Sequence, residues 1–233
     1  MSGCGWFVTG TDTDVGKTYV SVRLLEALAA AGRRVVGMKP VASGAQWQDG
    51  RLVNADALAL MQAASVKMPY EWVNPFVFGP PIAPHLAAAQ AGVEIELGRV
   101  EVCFRQLSAH ADCVVVEGAG GWRVPLNQDE DMASLAGRLG LPVLMVVGLR
   151  LGCINHACLT AESIRHSGLR FGGWIANTPS DGVDEAEQIV ATLTDRLALP
   201  PLAVLGYRPL AEGPLSDPKD LFKCDEILRL MRP

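Results

Sequence analysis

The sequence predicts a single-domain α/β fold over residues 1–233, a mostly parallel sheet with helices on both faces. Three observations carry this. Short apolar runs alternate with helical patterns from end to end, as right-handed strand–helix–strand crossovers require. One run, Cys113–Val116, is apolar throughout, the pattern of a strand buried on both faces. Of 233 residues, 49% are hydrophobic, enough for a large core and too many for a disordered chain.

Trp6–Thr9 reads as the first strand. Lys17–Ala31 is a helix, with Leu24, Leu25 and Leu28 on one face and Gly32 as its stop signal. Arg34–Met38 is the second strand, and Asp56–Ala64 and Glu96–Ala109 are helices. Strand Cys113–Val116 follows, then helix Met132–Leu139, strand Pro142–Val147 and helix Ile154–His166. Strand Phe171–Ala176, helix Glu185–Leu197, strand Leu202–Leu205 and a short helix Asp225–Met231 complete the chain. Met68–Pro84, with Pro69, Pro75, Pro80, Pro81 and Pro84, fits neither pattern and reads as an ordered excursion, a lid or part of a pocket wall.

A formal charge of −5 argues against general affinity for nucleic acid or anionic membrane. No apolar run is long enough to span a bilayer. Met1–Trp6 lacks the basic and apolar regions of a signal peptide, so a cytoplasmic location is expected. The six cysteines include no C-x-x-C pair, and Cys113 reads as core filler. The four histidines are scattered and read as satisfied or exposed rather than as metal ligands.

In a parallel sheet, ligands sit beyond the carboxyl ends of the strands, and four post-strand segments carry unusual chemistry. Thr9-Gly10-Thr11-Asp12-Thr13-Asp14-Val15-Gly16-Lys17-Thr18 joins a strand to a helix as a phosphate-binding loop does. Backbone N–H groups and the helix N-terminus would face the anion, Lys17 the outer phosphates, and Thr18 a magnesium ion. The spacing between Gly10 and Gly16 is one residue longer than usual. The alternative is a glycine-bearing turn that binds nothing. Asp12 and Asp14 are either turn formers facing solvent or ligands for magnesium, a lysine or an amine.

Lys39 emerges directly after the second strand, in Lys39-Pro40-Val41-Ala42-Ser43-Gly44, where Pro40 halts the strand. A lone lysine is usually a solvated charge; at this edge it is a candidate for stabilising transferred phosphate. Glu117 heads Glu117-Gly118-Ala119-Gly120-Gly121-Trp122. An acidic residue there suits magnesium or its water shell, and the glycines, Gly118 and Gly120 on either side of Ala119, let a ligand approach the backbone closely; the alternative is a glycine-rich turn with an exposed glutamate. Asn177-Thr178-Pro179 offers an amide for adenine or an ordinary turn, and Asp56 is either a metal ligand or a helix N-terminal residue.

With these segments in place, and with Asn54-Ala55-Asp56-Ala57-Leu58 and Leu151-Gly152-Cys153-Ile154-Asn155-His156-Ala157, the chain resembles the dethiobiotin synthetase family over most of its length. The resemblance implies a P-loop NTPase-like fold and an ATP- and Mg2+-dependent cyclo-ligase acting on 7,8-diaminopelargonic acid and carbon dioxide. It implies that Asp14, Val15, Gly16, Lys17, Thr18 and Tyr19 hold phosphates. Thr18, Asp56 and Glu117 would hold magnesium, Lys39 would be catalytic, and Thr13 and Ser43 would lie near the diamine. Asn177, with Thr178 beside it, would read adenine, and Arg208, Pro209 and Leu210 would line the base. The family is a homodimer in which the segment matching Gly152, Cys153, Ile154 and Asn155 binds substrate across the interface. Two positions depart from the family pattern: Asp14, where Glu is common, and Gly206-Tyr207-Arg208-Pro209-Leu210, where Pro followed by a large apolar residue is expected.

The rival reading is a partition or site-placement ATPase, a switch with a related loop. Such switches usually carry an extra lysine early in the loop, where this chain has Asp12. A glutamine-dependent amide ligase would need an additional domain with a nucleophilic cysteine, for which the chain has no room.

Overall fold

A computed structural model describes residues 4–178 and 183–206, together with Phe222, Ile227, Arg229 and Leu230. In chain order the elements are β1 (Cys4–Gly10), α1 (Lys17–Ala30), β2 (Val35–Met38), β3 (Val41–Ala42), β4 (Gln46–Gln48), β5 (Arg51–Val53) and α2 (Ala55–Ala63). Then come α3 (Tyr70–Val73), β6 (Phe76–Val77), α4 (Pro84–Gln90), α5 (Leu97–His110), β7 (Cys113–Gly121) and α6 (Met132–Leu139). The last are β8 (Val143–Gly148), α7 (Cys153–His166), β9 (Phe171–Asn177), α8 (Ala186–Leu197) and β10 (Ala203–Leu205).

Six strands form one sheet in the order β10-β9-β8-β1-β7-β2, every pair parallel. Alternation along buried strands divides the core. Trp6 and Val8 of β1, with Cys113 and Val115 of β7, pack against α1 through Leu24, Leu25 and Leu28. Phe7, Val114 and Val116 face the other way, toward apolar residues of α5, α6, α7 and α8. The expected α/β architecture with helices on both faces is therefore present. Among the described residues no helix is long and apolar enough to cross a membrane.

Several boundaries shift. β7 continues past Val116 to Gly121, so Glu117 lies within the strand and not after it. Glycines take up the hydrogen-bonding path without crowding, and the pairing to β1 slips between Val8 and Gly10 to carry the strand on. Asn177 is the last residue of β9, and α7 begins at Cys153, behind Gly152. The proline-rich excursion is ordered, containing α3 and β6 and ending at the start of α4. These elements are too short for a hydrophobic period to reveal. Of the expected helix Asp225–Met231, Ile227, Arg229 and Leu230 are described and helical; the remainder lies outside the described residues.

Candidate active site

β1 delivers the chain to the carboxyl edge of the sheet, and Gly16 opens α1 from the left-handed region at φ 89°. A Cβ there would stand 2.2 Å from Asn177 Nδ2, so the site requires glycine for space as well as conformation. No side chain caps α1, and its first turn holds no acidic residue. The positive end of the helix is thus open to an anion. Asn177 is buried, and its Nδ2 donates to the Val15 carbonyl at 2.9 Å, tying the end of β9 to the loop. Val15 itself is buried in the core beneath the loop.

Lys17 Nζ donates to the Asp12 carbonyl at 2.9 Å. Burial lowers its pKa to about 8, helped by the charge of Lys39 and opposed by Glu117, Asp56 and Asp14. Asp12 Oδ1 accepts from the Thr13 N–H at 2.8 Å, and its other carboxylate oxygen pairs with Arg150 in the loop after β8. Asp12 therefore braces the turn, whereas Asp14, at φ 57°, lines the cavity with Thr13.

Lys39 lies where β2 ends and is 5% exposed. Its ammonium is 2.6 Å from Glu117 Oε1 and 2.9 Å from Asp56 Oδ2. Thr18 donates its hydroxyl to the same Glu117 oxygen at 2.7 Å. Burial alone would lower the Lys39 pKa, but the charges of Glu117 and Asp56 outweigh it and the net displacement is upward. For Asp56, burial acts to raise the pKa; Lys39 overrides it and holds the carboxyl below its ordinary value. Lys39 is thus held as a cation.

The excursion serves as a buttress to this lysine. The Lys39 N–H donates to the Val73 carbonyl at 2.8 Å, and Asn74 Nδ2 donates to the Lys39 carbonyl at 2.7 Å. Tyr70 donates its hydroxyl to Asn74 Oδ1 and accepts from the Asn54 N–H, both at 2.8 Å. Asn54 caps α2 through Ala57 and so sets Asp56 in the first turn. Asp56 is both a helix N-terminal residue and a site carboxylate. Asn54 was legible as a cap, since a short amide precedes a helical pattern; Tyr70 and Asn74 carried no signal beyond being polar residues among prolines.

A cavity of about 240 Å3 gathers these parts. Thr13, Asp14, Gly16, Lys17, Thr18, Lys39, Ser43, Asp56, Glu117, Ala119 and Gly120 all line it, joined by Ala42 and Asn54. Gly118 instead faces Phe7 and the Val8 carbonyl. Tyr19 stacks under the Arg23 guanidinium at 5.3 Å, and Thr178 donates its N–H to the Leu205 carbonyl. Gly152, Cys153, Ile154 and Asn155 form the start of α7 beside fully exposed Leu151 and are not among the residues that line the cavity. Arg208, Pro209 and Leu210 lie outside the described residues.

The donor set suits a small hard cation. Glu117 Oε2 is buried without a hydrogen-bond partner, and Asp56 and the Thr18 hydroxyl stand beside it. Two carboxylates and a hydroxyl leave coordination positions for phosphate oxygens and water, as magnesium prefers. Among the described residues there is no cluster of three or more His, Cys, Asp or Glu residues, so the set is the two carboxylates and the hydroxyl.

The chain matches the AAA domain family over residues 5–214. It is 48% identical over 202 residues to the ATP-dependent dethiobiotin synthetase BioD of Aromatoleum aromaticum, covering 87% of this chain and 90% of that protein. The protein of the same name from Pseudomonas paraeruginosa is 50% identical over 196 residues, with 84% and 86% covered. That from Marinobacter nauticus is 50% identical over 204 residues, with 87% of each covered. Among solved structures, the septum site-determining protein MinD of Pyrococcus horikoshii, complexed with Mg-ADP, superposes with a TM-score of 0.57 at 16% identity over 99% of this chain and 95% of that one. The MinC:MinD cell division complex of Aquifex aeolicus gives 0.54 at 15% identity, over 97% and 85%. Identity this low carries the fold alone.

Proposed function

The chain belongs to the ATP-dependent dethiobiotin synthetase family, and from that premise we propose how its own residues perform the ligase reaction. It is an ATP-dependent ligase of biotin biosynthesis. The substrates of the proposal are 7,8-diaminopelargonic acid, carbon dioxide and ATP, bound within one domain. One amine of the diamine takes up carbon dioxide as a carbamate and releases a proton. A carbamate oxygen attacks the γ-phosphorus and ADP departs. The second amine attacks the carbonyl of the resulting mixed anhydride, phosphate leaves, and the ureido ring closes.

The observation that carries the reading is the buried Lys39 ammonium, held between Glu117 and Asp56 at the mouth of the phosphate loop. Joining a carbamate to a polyphosphate brings two anions together, so the residues must orient them and offset charge. Lys17 and the open end of α1 serve the phosphates. Lys39 serves the oxygens between carbamate and γ-phosphorus. Thr13 and Ser43 line the same cavity and are assigned to the diamine. Thr18, Asp56 and Glu117 are the residues that would hold magnesium, which when bound supplies electrostatic neutralisation of the phosphate oxygens. Asn177 holds the loop from beneath and is assigned to adenine together with Thr178.

A homodimer completes the proposal. The start of α7 has no side-chain cap, as a site for the diamine's carboxylate from a second subunit requires, and Leu151 beside it is fully exposed. The switch-ATPase reading rests on fold likeness at about one residue in six identical, against half identical for the ligases.

Incubation with diamine, bicarbonate, magnesium and ATP is expected to yield a cyclic urea and phosphate in equal amounts. Phosphate release indifferent to the diamine would overturn the assignment.

A further inference from the structure

Both acceptors of the Lys39 ammonium are carboxylates assigned above to magnesium, and this inference rests on that assignment. Glu117 Oε1 already receives the Thr18 hydroxyl as well as the ammonium. A divalent cation bound through Asp56 and Glu117 would draw on the same two carboxylates, and Glu117 Oε2, buried without a hydrogen-bond partner, is open to it. It would also bring its two charges to within a few ångströms of the ammonium, at a buried position where repulsion is poorly screened. Lysine and metal are competitors for the charge of one pair of carboxylates.

We propose that Lys39 is a resident counter-ion that occupies the Asp56–Glu117 pair until the divalent cation arrives. Its displacement is what presents the ammonium to the reacting anions. Charge counting supports the exchange. Without a cation, the two carboxylates hold the Lys39 ammonium directly while Lys17 acts on them through space; a divalent cation would balance the carboxylates by itself and leave the Lys39 charge for an incoming anion. The backbone of Lys39 is held on both sides, at Val73 and Asn74, so the movement is confined to its side chain. The cavity beside it, walled by Ala42, Ser43 and Asn54, has room for the displaced ammonium and polar groups to receive it. Cation binding thereby precedes productive engagement of the carbamate, which guards the lysine from pairing with an anion before the cation is in place.

The test is Mn2+ alone, titrated into the nucleotide-free full chain, with free Mn2+ followed by electron paramagnetic resonance. Lys39→Met is expected to bind Mn2+ at least tenfold more tightly than wild type, and Glu117→Gln to lose the site. Equal or weaker binding by Lys39→Met, with the site still lost in Glu117→Gln, overturns the exchange and leaves the metal ligands standing. Binding unchanged in Glu117→Gln overturns the metal assignment itself. Wild-type protein supplies a readout that does not depend on the variant folding. The Lys39 ammonium 15N resonance is expected to shift or broaden when Mg2+ saturates the site, and a resonance indifferent to Mg2+ overturns the proposal.

Discussion

Replacing Lys39 by glutamine separates the two things this lysine does. Its partners differ in exposure: Glu117 is fully buried, whereas the Asp56 side chain is 41% exposed. The pair with Asp56 is therefore screened and contributes at most about 1 kcal/mol. Glu117 left unpaired in the interior costs about 3–5 kcal/mol, and the glutamine amide returns roughly 1–2 kcal/mol by donating to it. The net loss of about 1–4 kcal/mol corresponds to roughly 2–15 °C in melting temperature for a chain of this size. The kinetic loss has another origin. Removing one preorganised charge from developing negative charge typically lowers kcat on the order of 100- to 1,000-fold. Nucleotide affinity should change by less than about threefold, because the phosphates are assigned to the α1 end and Lys17. Calorimetric melting, steady-state kinetics and ADP titration measure the three quantities. Equal losses in kcat and ADP affinity would remove Lys39 from the chemistry. An unchanged melting temperature would show that the buried pair contributes nothing net.

Other expectations follow from the same geometry. Gly16→Ala places a methyl 2.2 Å from Asn177 Nδ2 at φ 89°, and should weaken ADP binding at least tenfold by deforming the loop; equilibrium dialysis with intact affinity would refute this. Lys17, with its pKa lowered to about 8 by burial, is charged below that pH and neutral above it in the free protein. Phosphate favours the charged form, so ADP affinity should be flat below about pH 8 and fall by up to about tenfold per unit above it. Calorimetry near pH 9 should then record proton uptake, and release would contradict the assignment. Leu151→Glu should convert the proposed dimer to monomer in analytical ultracentrifugation and raise KM for the diamine; a dimer unaffected by that charge would place the interface elsewhere.

Much of this was legible in the chain. The alternation of strands and helices gave the parallel sheet because burial on two faces leaves a continuous apolar run, and burial on one leaves a helical stripe. Lys17, Thr18, Lys39 and Glu117 stood out because unusual polar groups follow apolar runs where ligands bind in such sheets. Short elements such as α3 and β6 escaped, being held by partners distant in sequence and not by a period of their own. The buttress of Tyr70 and Asn74 behind Lys39 escaped for the same reason. Asn177 had been read only as a turn or a base reader; that its amide supports the phosphate loop depends on β9 ending beside Val15.

By itself the sequence determined the proposed phosphate loop, a local matter, since Gly16, Lys17 and Thr18 are neighbours at the start of α1. Only the tertiary structure decided what those residues meet. Thr18 and Glu117 are 99 positions apart, and Lys39 and Glu117 are 78 apart; they share one oxygen because β1, β7 and β2 lie side by side and parallel. Strand order is set by how whole faces pack, a non-local choice, and it is what turns a separate lysine, threonine and two carboxylates into one site.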